Sequence, residues 1–316
     1  MASWQAHTLS FVLRHTFKRQ LARAKDALEA RAIMNKGRFK VPRGVRITPA
    51  EVAGVPGEWV ESEAGARCGV LVYLHGGGYF ACSARTHRPY TVSFAFHGFR
   101  VFAPDYRLAP ENKFPAPVAD VVAVWRAVNA ETPESTPMVI AGDSAGGGLA
   151  LATMLKLREE GDALPAAAVL FSPLTDLVGT GESRRTNDKR CAMFRCKGFD
   201  RVREFYLADG GDPRDPLVSP LYADLEGLPP LLIHVGENET LRDDSTELAS
   251  RARAAAVGVD IKLWPAVPHV WQLFYQFVPE GRQSLAEAAG FLQAACDQAR
   301  PSALRSSSKS PSALRG

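Results

Sequence analysis

The sequence lacks the long apolar runs and leader segments that mark membrane and secreted proteins. Nowhere among its 316 residues do 18 consecutive apolar residues occur, so no membrane span is predicted. The first residues have neither the long apolar core nor the small-residue cleavage site of a secretory signal. We therefore expect a cytoplasmic protein.

Cysteine is scarce and unpatterned. The five cysteines include no Cys-x-x-Cys pair and occur at Cys68, Cys82, Cys191, Cys196 and Cys296. This spacing predicts neither a disulfide framework nor a zinc site. We expect buried or free thiols, and no metal or organic cofactor.

Acidic residues are rare at the N-terminus. Residues 1–46 contain eleven Lys and Arg against Asp26 and Glu29, although the net charge of the whole chain is only +4. Such a segment could bind nucleic acid or an anionic membrane. We favour the simpler interpretation, an amphipathic helix with a solvated basic face, and expect no nucleic-acid partner.

The rest of the chain alternates strand and helix patterns. With 46% hydrophobic and 23% charged residues it has the composition of a globular protein. Helical patterns cover residues 118–128, 146–160 and 245–257. Strands are predicted at 45–47, 58–60, 69–74, 100–103, 138–141, 166–171, 231–235 and 259–263. This alternation predicts a mostly parallel eight-stranded α/β sheet, with reactive groups on loops at the carboxyl ends of its strands.

Two stretches interrupt the alternation. An apolar stripe through Leu9, Leu13, Phe17 and Leu21 predicts one N-terminal helix, and residues 177–215 are polar with an aromatic patch. We expect both to fold over the strand ends as a helical cap. The predicted division is 1–44 and 177–215 for the cap, 45–176 and 216–296 for the catalytic domain, and 297–316 for a disordered tail.

Residues 142–146 read Gly-Asp-Ser-Ala-Gly, directly after a predicted strand and directly before a predicted helix. In that context Gly-x-Ser-x-Gly predicts a nucleophile elbow that presents Ser144 on a sharp turn. A phosphate-binding loop of the Walker type would need Gly-Lys-Ser/Thr, which is absent. Dehalogenases and epoxide hydrolases of this architecture would need Asp in place of Ser144.

A serine nucleophile needs a base, and only His234 and His269 follow Ser144. His234 lies within an apolar strand pattern, where a satisfied structural ring is expected. His269 lies in a proline-marked loop after the last strand. His269 is therefore the predicted base.

The acid that orients this base should come from the loop after the strand at 231–235. Four carboxylates of that loop compete, and spacing alone does not choose between them: Glu237, Glu239, Asp243 and Asp244.

Residues 75–78 read His-Gly-Gly-Gly after a further apolar strand. Glycines let backbone N–H groups approach a substrate, and each donor aimed at a developing oxyanion contributes about 3–4 kcal/mol. We predict that this loop forms the oxyanion hole.

These motifs, with Asp-Tyr-Arg-Leu-Ala-Pro-Glu at 105–111, resemble the bacterial hormone-sensitive-lipase-like esterases, a branch of the α/β-hydrolases. The similarity extends from about residue 41 to about residue 292. It implies that Gly77, Gly78 and Ala145 donate the oxyanion-hole hydrogen bonds. It also implies that the acid is Glu239, where the family usually has Asp, and that Asp243 braces the loop. His75, Asp105, Arg107, Glu111 and Asp143 would support the site without taking part in the chemistry.

The resemblance predicts a serine carboxylesterase that acts on small-molecule esters of short to medium acyl chains. An amidase would use the same triad, and a binding protein could share the fold. The related plant gibberellin receptors lack the catalytic base, so the presence of His269 favours an enzyme. The sequence leaves open whether the chain forms a homodimer.

Overall fold

A computed structural model of the protein describes residues 2–37 and 39–300. It contains one eight-stranded sheet with the order β1-β2-β4-β3-β5-β6-β7-β8. The strands are β1 (Val45–Val52), β2 (Val55–Ser62), β3 (Gly69–Leu74), β4 (Phe99–Pro104), β5 (Met138–Asp143), β6 (Ala168–Phe171), β7 (Leu231–Gly236) and β8 (Val259–Trp264). Strands β3 to β8 run parallel, whereas β2 is antiparallel to both β1 and β4. The predicted eight-stranded, mostly parallel sheet is confirmed.

The central strands are apolar because helices cover both faces of the sheet. Every residue of β3, β5 and β7 is buried. Side chains of one face, such as Val72 and Ile140, pack with α5 (Ala116–Glu131), α6 (Ala145–Glu160) and α9 (Arg242–Ala254). Those of the other face, such as Tyr73 and Val139, pack with α4 (Arg88–Phe96) and α10 (Pro279–Ala299). The sheet thus separates two hydrophobic cores.

The N-terminal segment forms three helices, so the prediction of a single helix was wrong. They are α1 (Trp4–His15), α2 (Phe17–Arg23) and α3 (Ala27–Met34). The chain leaves helical geometry at Ala24, and the Asp26 carboxylate caps α3 by accepting a hydrogen bond from Glu29 N at 2.8 Å. Leu28 is consequently 60% exposed, although it continues the apolar periodicity of the sequence.

Residues 177–215 form two helices, α7 (Ser183–Thr186) and α8 (Cys196–Tyr206), and contact the N-terminal helices. Lys18 Nζ on α2 donates to the carbonyl oxygens of Asp188 and Cys191 at 2.5 and 2.7 Å. Arg201 Nη1 on α8 donates to Ala24 O at 2.7 Å. The two stretches that interrupt the strand–helix alternation therefore lie together, while the domain boundaries stay a prediction.

Helix α10 ends at Ala299, so residues 297–299 of the predicted tail are helical. Buried Leu292 and Cys296 hold this last part of the helix against the sheet. Residues 301–316, the remainder of the predicted tail, lie outside the described residues.

Candidate active site

Ser144 occupies a sharp turn between β5 and α6. Its backbone angles, φ +52° and ψ −121°, lie in a region that residues with side chains rarely adopt. The turn is tight enough to demand the flanking glycines. A Cβ on Gly142 would lie 2.4 Å from Gly146 O, and one on Gly146 would lie 2.1 Å from Leu74 O. The close approach of β5, the serine turn and α6 therefore explains both the Gly-x-Ser-x-Gly pattern and the strained backbone of Ser144.

His269 and Glu239 form a buried pair. His269 Nδ1 lies 2.5 Å from Glu239 Oε2, and both side chains are almost completely shielded from solvent. The other carboxylate oxygen, Oε1, accepts hydrogen bonds from Ser172 Oγ at 2.7 Å and from Gly236 N at 2.6 Å. Three donors therefore fix the carboxylate, which in turn fixes the imidazole ring.

The three other candidate acids lie elsewhere. Glu237 is exposed. Asp243 accepts a hydrogen bond from Ser183 N at 2.7 Å, and Asp244 forms a buried ion pair with Arg184. Of the four carboxylates that sequence spacing left open, the structure brings only Glu239 to His269.

The second ring nitrogen of the histidine is uncommitted. His269 Nε2 is buried and has no hydrogen-bond partner within the described part of the chain. His269 and Ser144 line the same cavity, together with Gly77 and Gly78. An imidazole whose Nδ1 is held by a carboxylate has Nε2 available to accept a proton from a group in that cavity.

The glycine loop after β3 brings backbone donors to the cavity. Gly77 and Gly78 have φ values of +115° and +63°, and a Cβ on Gly77 would lie 2.1 Å from Ala81 O. Among the described residues, the N–H groups of Gly77, Gly78 and Ala145 donate no hydrogen bond. Ala145 is the first residue of α6, so its N–H also carries the positive end of the helix dipole.

Asp143 joins this loop to the serine turn. Its Oδ1 accepts hydrogen bonds from Tyr73 Oη at 2.7 Å and Gly76 N at 3.1 Å, and Oδ2 lies 3.2 Å from His87 Nε2. Burial alone would raise the pKa of Asp143, but His87 and Tyr73 outweigh burial and hold that pKa below its usual value. A carboxylate next to the nucleophile therefore sets the position of the glycine loop.

The remaining supporting residues predicted from the sequence fall into two groups. His75 is stacked on Tyr106, with ring centroids 4.3 Å apart, and burial lowers the pKa of its imidazole to about 3. Asp105 accepts a hydrogen bond from Ala84 N at 2.6 Å, just beyond the glycine loop. These two lie at the loop itself.

Arg107 and Glu111 lie farther from the glycines. Arg107 pairs with Asp120 of α5 at 2.6 Å and holds no part of the glycine loop. Glu111 pairs with Arg31 of α3, and Arg31 Nε donates to Phe80 O at 2.6 Å. Glu111 thus acts on the loop indirectly, through an arginine of the N-terminal helices.

The cavity above Ser144 has a volume of about 590 Å³. It is bounded on one side by the glycine loop, the serine turn and the loop that carries His269, and on the other by the N-terminal helices and the 177–215 segment. Phe194 lies edge-on to the His269 ring with centroids 5.0 Å apart. Eight phenylalanines contribute to the wall: Phe17, Phe39, Phe80, Phe194, Phe199, Phe205, Phe274 and Phe277.

A family model of the α/β hydrolase fold matches residues 71–273. The chain is 41% identical to an acetyl-hydrolase of Streptomyces hygroscopicus over 82% of its own length and 85% of the relative. It is 37% identical to an esterase of Acinetobacter venetianus, with 78% and 82% covered. A solved esterase of the bacterial hormone-sensitive lipase family is 40% identical, covers 94% of this chain and 99% of its own, and superposes with a TM-score of 0.87. EstE5, solved after soaking with p-nitrophenyl butyrate, is 35% identical, with 93% and 99% covered and a TM-score of 0.88.

The chain is a carboxylesterase of the hormone-sensitive-lipase-like family, with the α/β-hydrolase fold.

Three residues that contact the site of this esterase carry no signal in the sequence. His87 bonds Asp143, Ser172 bonds Glu239, and Arg31 bonds the end of the glycine loop. Each lies far along the chain from its partner, outside the recognisable motifs. Only the folded chain brings them together: His87 and Ser172 follow strands that are adjacent to those of their partners, and Arg31 lies on α3 against the glycine loop.

The other histidine considered as a base, His234, lies in β7 as expected. Its Nδ1 is 2.8 Å from Ser284 Oγ, and burial lowers its pKa to about 4. Among the described residues of the esterase, no helix combines the length and the apolar character needed to cross a bilayer.

Proposed function

We propose that this esterase hydrolyses carboxylic esters of short to medium acyl chains through Ser144, His269 and Glu239. The observation that carries the proposal is the 2.5 Å contact between His269 Nδ1 and Glu239 Oε2, beside a serine held on a strained turn in the same cavity. The cytoplasmic location stays a prediction, and whether the chain forms a homodimer stays open.

In the acylation step, His269 Nε2 takes the hydroxyl proton of Ser144 while Ser144 Oγ attacks the ester carbonyl carbon. The resulting imidazolium is stabilised by the Glu239 carboxylate. His269 then gives its proton to the departing alcohol oxygen, the C–O bond breaks, and the acyl group remains on Ser144.

Deacylation repeats this sequence with water. His269 removes a proton from a water molecule whose oxygen attacks the acyl carbon. It then returns the proton to Ser144 Oγ as the carboxylic acid leaves.

The negative charge that develops on the carbonyl oxygen in each step would be held by the N–H groups of Gly77, Gly78 and Ala145. These donors are uncommitted within the described chain, and two of them belong to a loop fixed by Asp143. Such pre-oriented donors contribute about 3–4 kcal/mol each to the transition state.

The acyl-chain preference rests on the dimensions of the cavity. A volume of about 590 Å³ is in the range of small-molecule sites and must hold both the acyl and the alcohol part of an ester. Similarity to a relative named acetyl-hydrolase supports small acyl groups.

The test is hydrolysis of p-nitrophenyl esters from acetate to palmitate by the wild type and by Ser144→Ala. We expect a rate maximum between acetate and octanoate and a loss of at least about 10³-fold in the variant. A maximum at palmitate would indicate a true lipase. A folded wild type without turnover, or turnover that survives the substitution, would exclude the proposed triad and favour a binding protein.

A further inference from the structure

A strongly basic groove runs alongside the catalytic cavity. It lies between α2 and residues 185–201 and has a volume of about 720 Å³. Its charged lining in the described part of the chain consists of one carboxylate, Asp188, and six cations: Lys18, Arg185, Lys189, Arg195, Lys197 and Arg201. We call this feature the basic groove.

The basic groove and the catalytic cavity share a wall. Five residues line both the groove and the cavity: Leu21, Met193, Phe194, Gly198 and Arg201. Phe194 is the ring that lies against His269, so the shared wall reaches the catalytic base. A substrate in the cavity is therefore separated from the cations of the groove by a single layer of side chains.

Arg201 is the charged member of that shared wall. Its Nη1 donates to Ala24 O at 2.7 Å, and its guanidinium carbon lies 5.5 Å from the centroid of the Phe205 ring. Its Nη2 is buried and has no hydrogen-bond partner, carboxylate or other, among the described residues. A buried cationic donor without an acceptor is unfavourable, so this position calls for an acceptor from outside the chain.

The acidic residues nearby are already engaged. Asp188 accepts hydrogen bonds from Cys196 N at 2.6 Å and Arg195 Nη1 at 3.1 Å. Asp143, the carboxylate that lines the catalytic cavity, is bound by Tyr73, Gly76 and His87. Burial lowers the pKa of Lys18, and the neighbouring Arg195 and Arg14 lower it further, against the opposing effects of Cys191 and Asp188. The groove thus has uncompensated positive charge.

We infer that the esterase prefers substrates that carry a carboxylate or phosphate group remote from the scissile ester, bound at Arg201 and attracted by the basic groove. The inference rests on the proposed function and names its substrate class. A guanidinium pairs well with either oxyanion, and Arg201 is already oriented by Ala24 and Phe205. Arg201 lines the catalytic cavity as well as the groove, so a small molecule that extends from the scissile ester can approach its guanidinium.

The experiment compares half-esters of dicarboxylic acids, from mono-p-nitrophenyl succinate to mono-p-nitrophenyl sebacate, with the corresponding methyl p-nitrophenyl diesters. For each chain length we measure one ratio: kcat/KM for the half-ester, which carries a free carboxylate, divided by kcat/KM for the neutral methyl diester. We expect the ratio to peak at one chain length at about tenfold or more, and to fall with added NaCl. A phosphate in place of the carboxylate at that length tells which oxyanion is preferred.

Arg201→Met should bring this ratio close to one, mainly through KM, whereas Arg201→Lys should retain part of the preference. Each ratio is taken within one variant, which cancels any general effect on fold or catalysis. Arg203→Met is the matched control, because Arg203 is on the same helix, pairs with Asp200 and lines neither the groove nor the cavity. It should keep the wild-type ratio.

Lys189→Gln/Lys197→Gln provides a second variant with little risk to folding, because both side chains are exposed. This double variant should lower the kcat/KM ratio and weaken its dependence on salt.

A kcat/KM ratio near one at every chain length, or a peak that Arg201→Met retains, would overturn the inference. Hydrolysis of p-nitrophenyl butyrate, run in parallel, separates the two proposals: its absence would reject the esterase mechanism, whereas its presence without a carboxylate preference would reject only the anion site.

Discussion

Glu239 is one methylene longer than the aspartate usual at this position in the family, and the surrounding contacts accommodate the extra length. Its Oε1 turns back to Gly236 N and Ser172 Oγ while Oε2 reaches His269. Glu239→Gln preserves this shape but removes the charge that stabilises the imidazolium. We expect kcat for p-nitrophenyl butyrate to fall by about 10⁴-fold, the effect of replacing the acid by its amide in a serine protease triad.

Glu237→Gln is the control for that substitution, since Glu237 lies two residues earlier in the same loop and is exposed. It should stay within about twofold of the wild type. Retention of most of kcat in Glu239→Gln, or an equal loss in both variants, would mean that another acid serves His269.

Single residues differ in how far the sequence predicts them. Ser144 is recognisable because its glycine neighbours are a local steric requirement, and His269 because only two histidines follow the serine. The acid could not be chosen by spacing, since four carboxylates share one loop. Ser172 and His87 could not be found at all, because their contacts arise only when distant strands are adjacent in the sheet.

At the scale of elements, one buried ion pair joins α7 of the 177–215 segment to α9, which packs on the sheet. Arg184 and Asp244 are 4% and 1% exposed, with Nη2 and Oδ2 2.9 Å apart. Arg184→Met leaves the Asp244 carboxylate buried without its cation, and such losses cost about 3–5 kcal/mol of folding stability. Urea-induced unfolding followed by circular dichroism would measure the change.

Arg185→Met, at the exposed neighbouring position, should change the free energy of unfolding by less than about 0.5 kcal/mol. The double variant Arg184→Met/Asp244→Asn should be more stable than Arg184→Met alone, because the buried charge of Asp244 is then removed together with its cation. A double variant no more stable than the single one would show that packing, not charge, dominates here.

Elements with a strong burial pattern could be predicted from the sequence, and elements set by local capping could not. The central strands β3, β5 and β7 are recognisable because they are buried apolar runs. The edge strands β1 and β8 carry charged residues and are partly exposed, and β1 and β2 extend well beyond the predicted residues as a hairpin at the sheet edge. The N-terminal apolar stripe continues through the break at Ala24, so periodicity alone does not reveal that Asp26 starts a new helix.

The stability of the whole molecule should fall between neutral and mildly acidic pH. Burial lowers the pKa of His234 to about 4, with Lys262 lowering it further and Glu287 opposing, whereas an unfolded histidine titrates near 6.5. Between these values the unfolded chain binds more protons, so this contribution is complete above about pH 6.5 and is lost as pH falls through 4. Its size is on the order of 3 kcal/mol.

His234→Gln should therefore show a shallower fall of Tm between pH 6.5 and 4 than the wild type. The exposed His15→Gln serves as the control and should keep the wild-type slope. His75, whose pKa is lowered to about 3, adds a similar dependence in all three proteins. Equal slopes in the wild type and His234→Gln would contradict the assignment.

The edge-on contact between Phe194 and His269 links the 177–215 segment directly to the proposed base. An aromatic ring generates a local magnetic field, so protons of the His269 imidazole take a resonance frequency that depends on where Phe194 stands. Nuclear magnetic resonance of the histidine ring protons, compared between wild type and Phe194→Leu, would identify that contribution. The resonances of the His269 ring therefore report the position of the 177–215 segment.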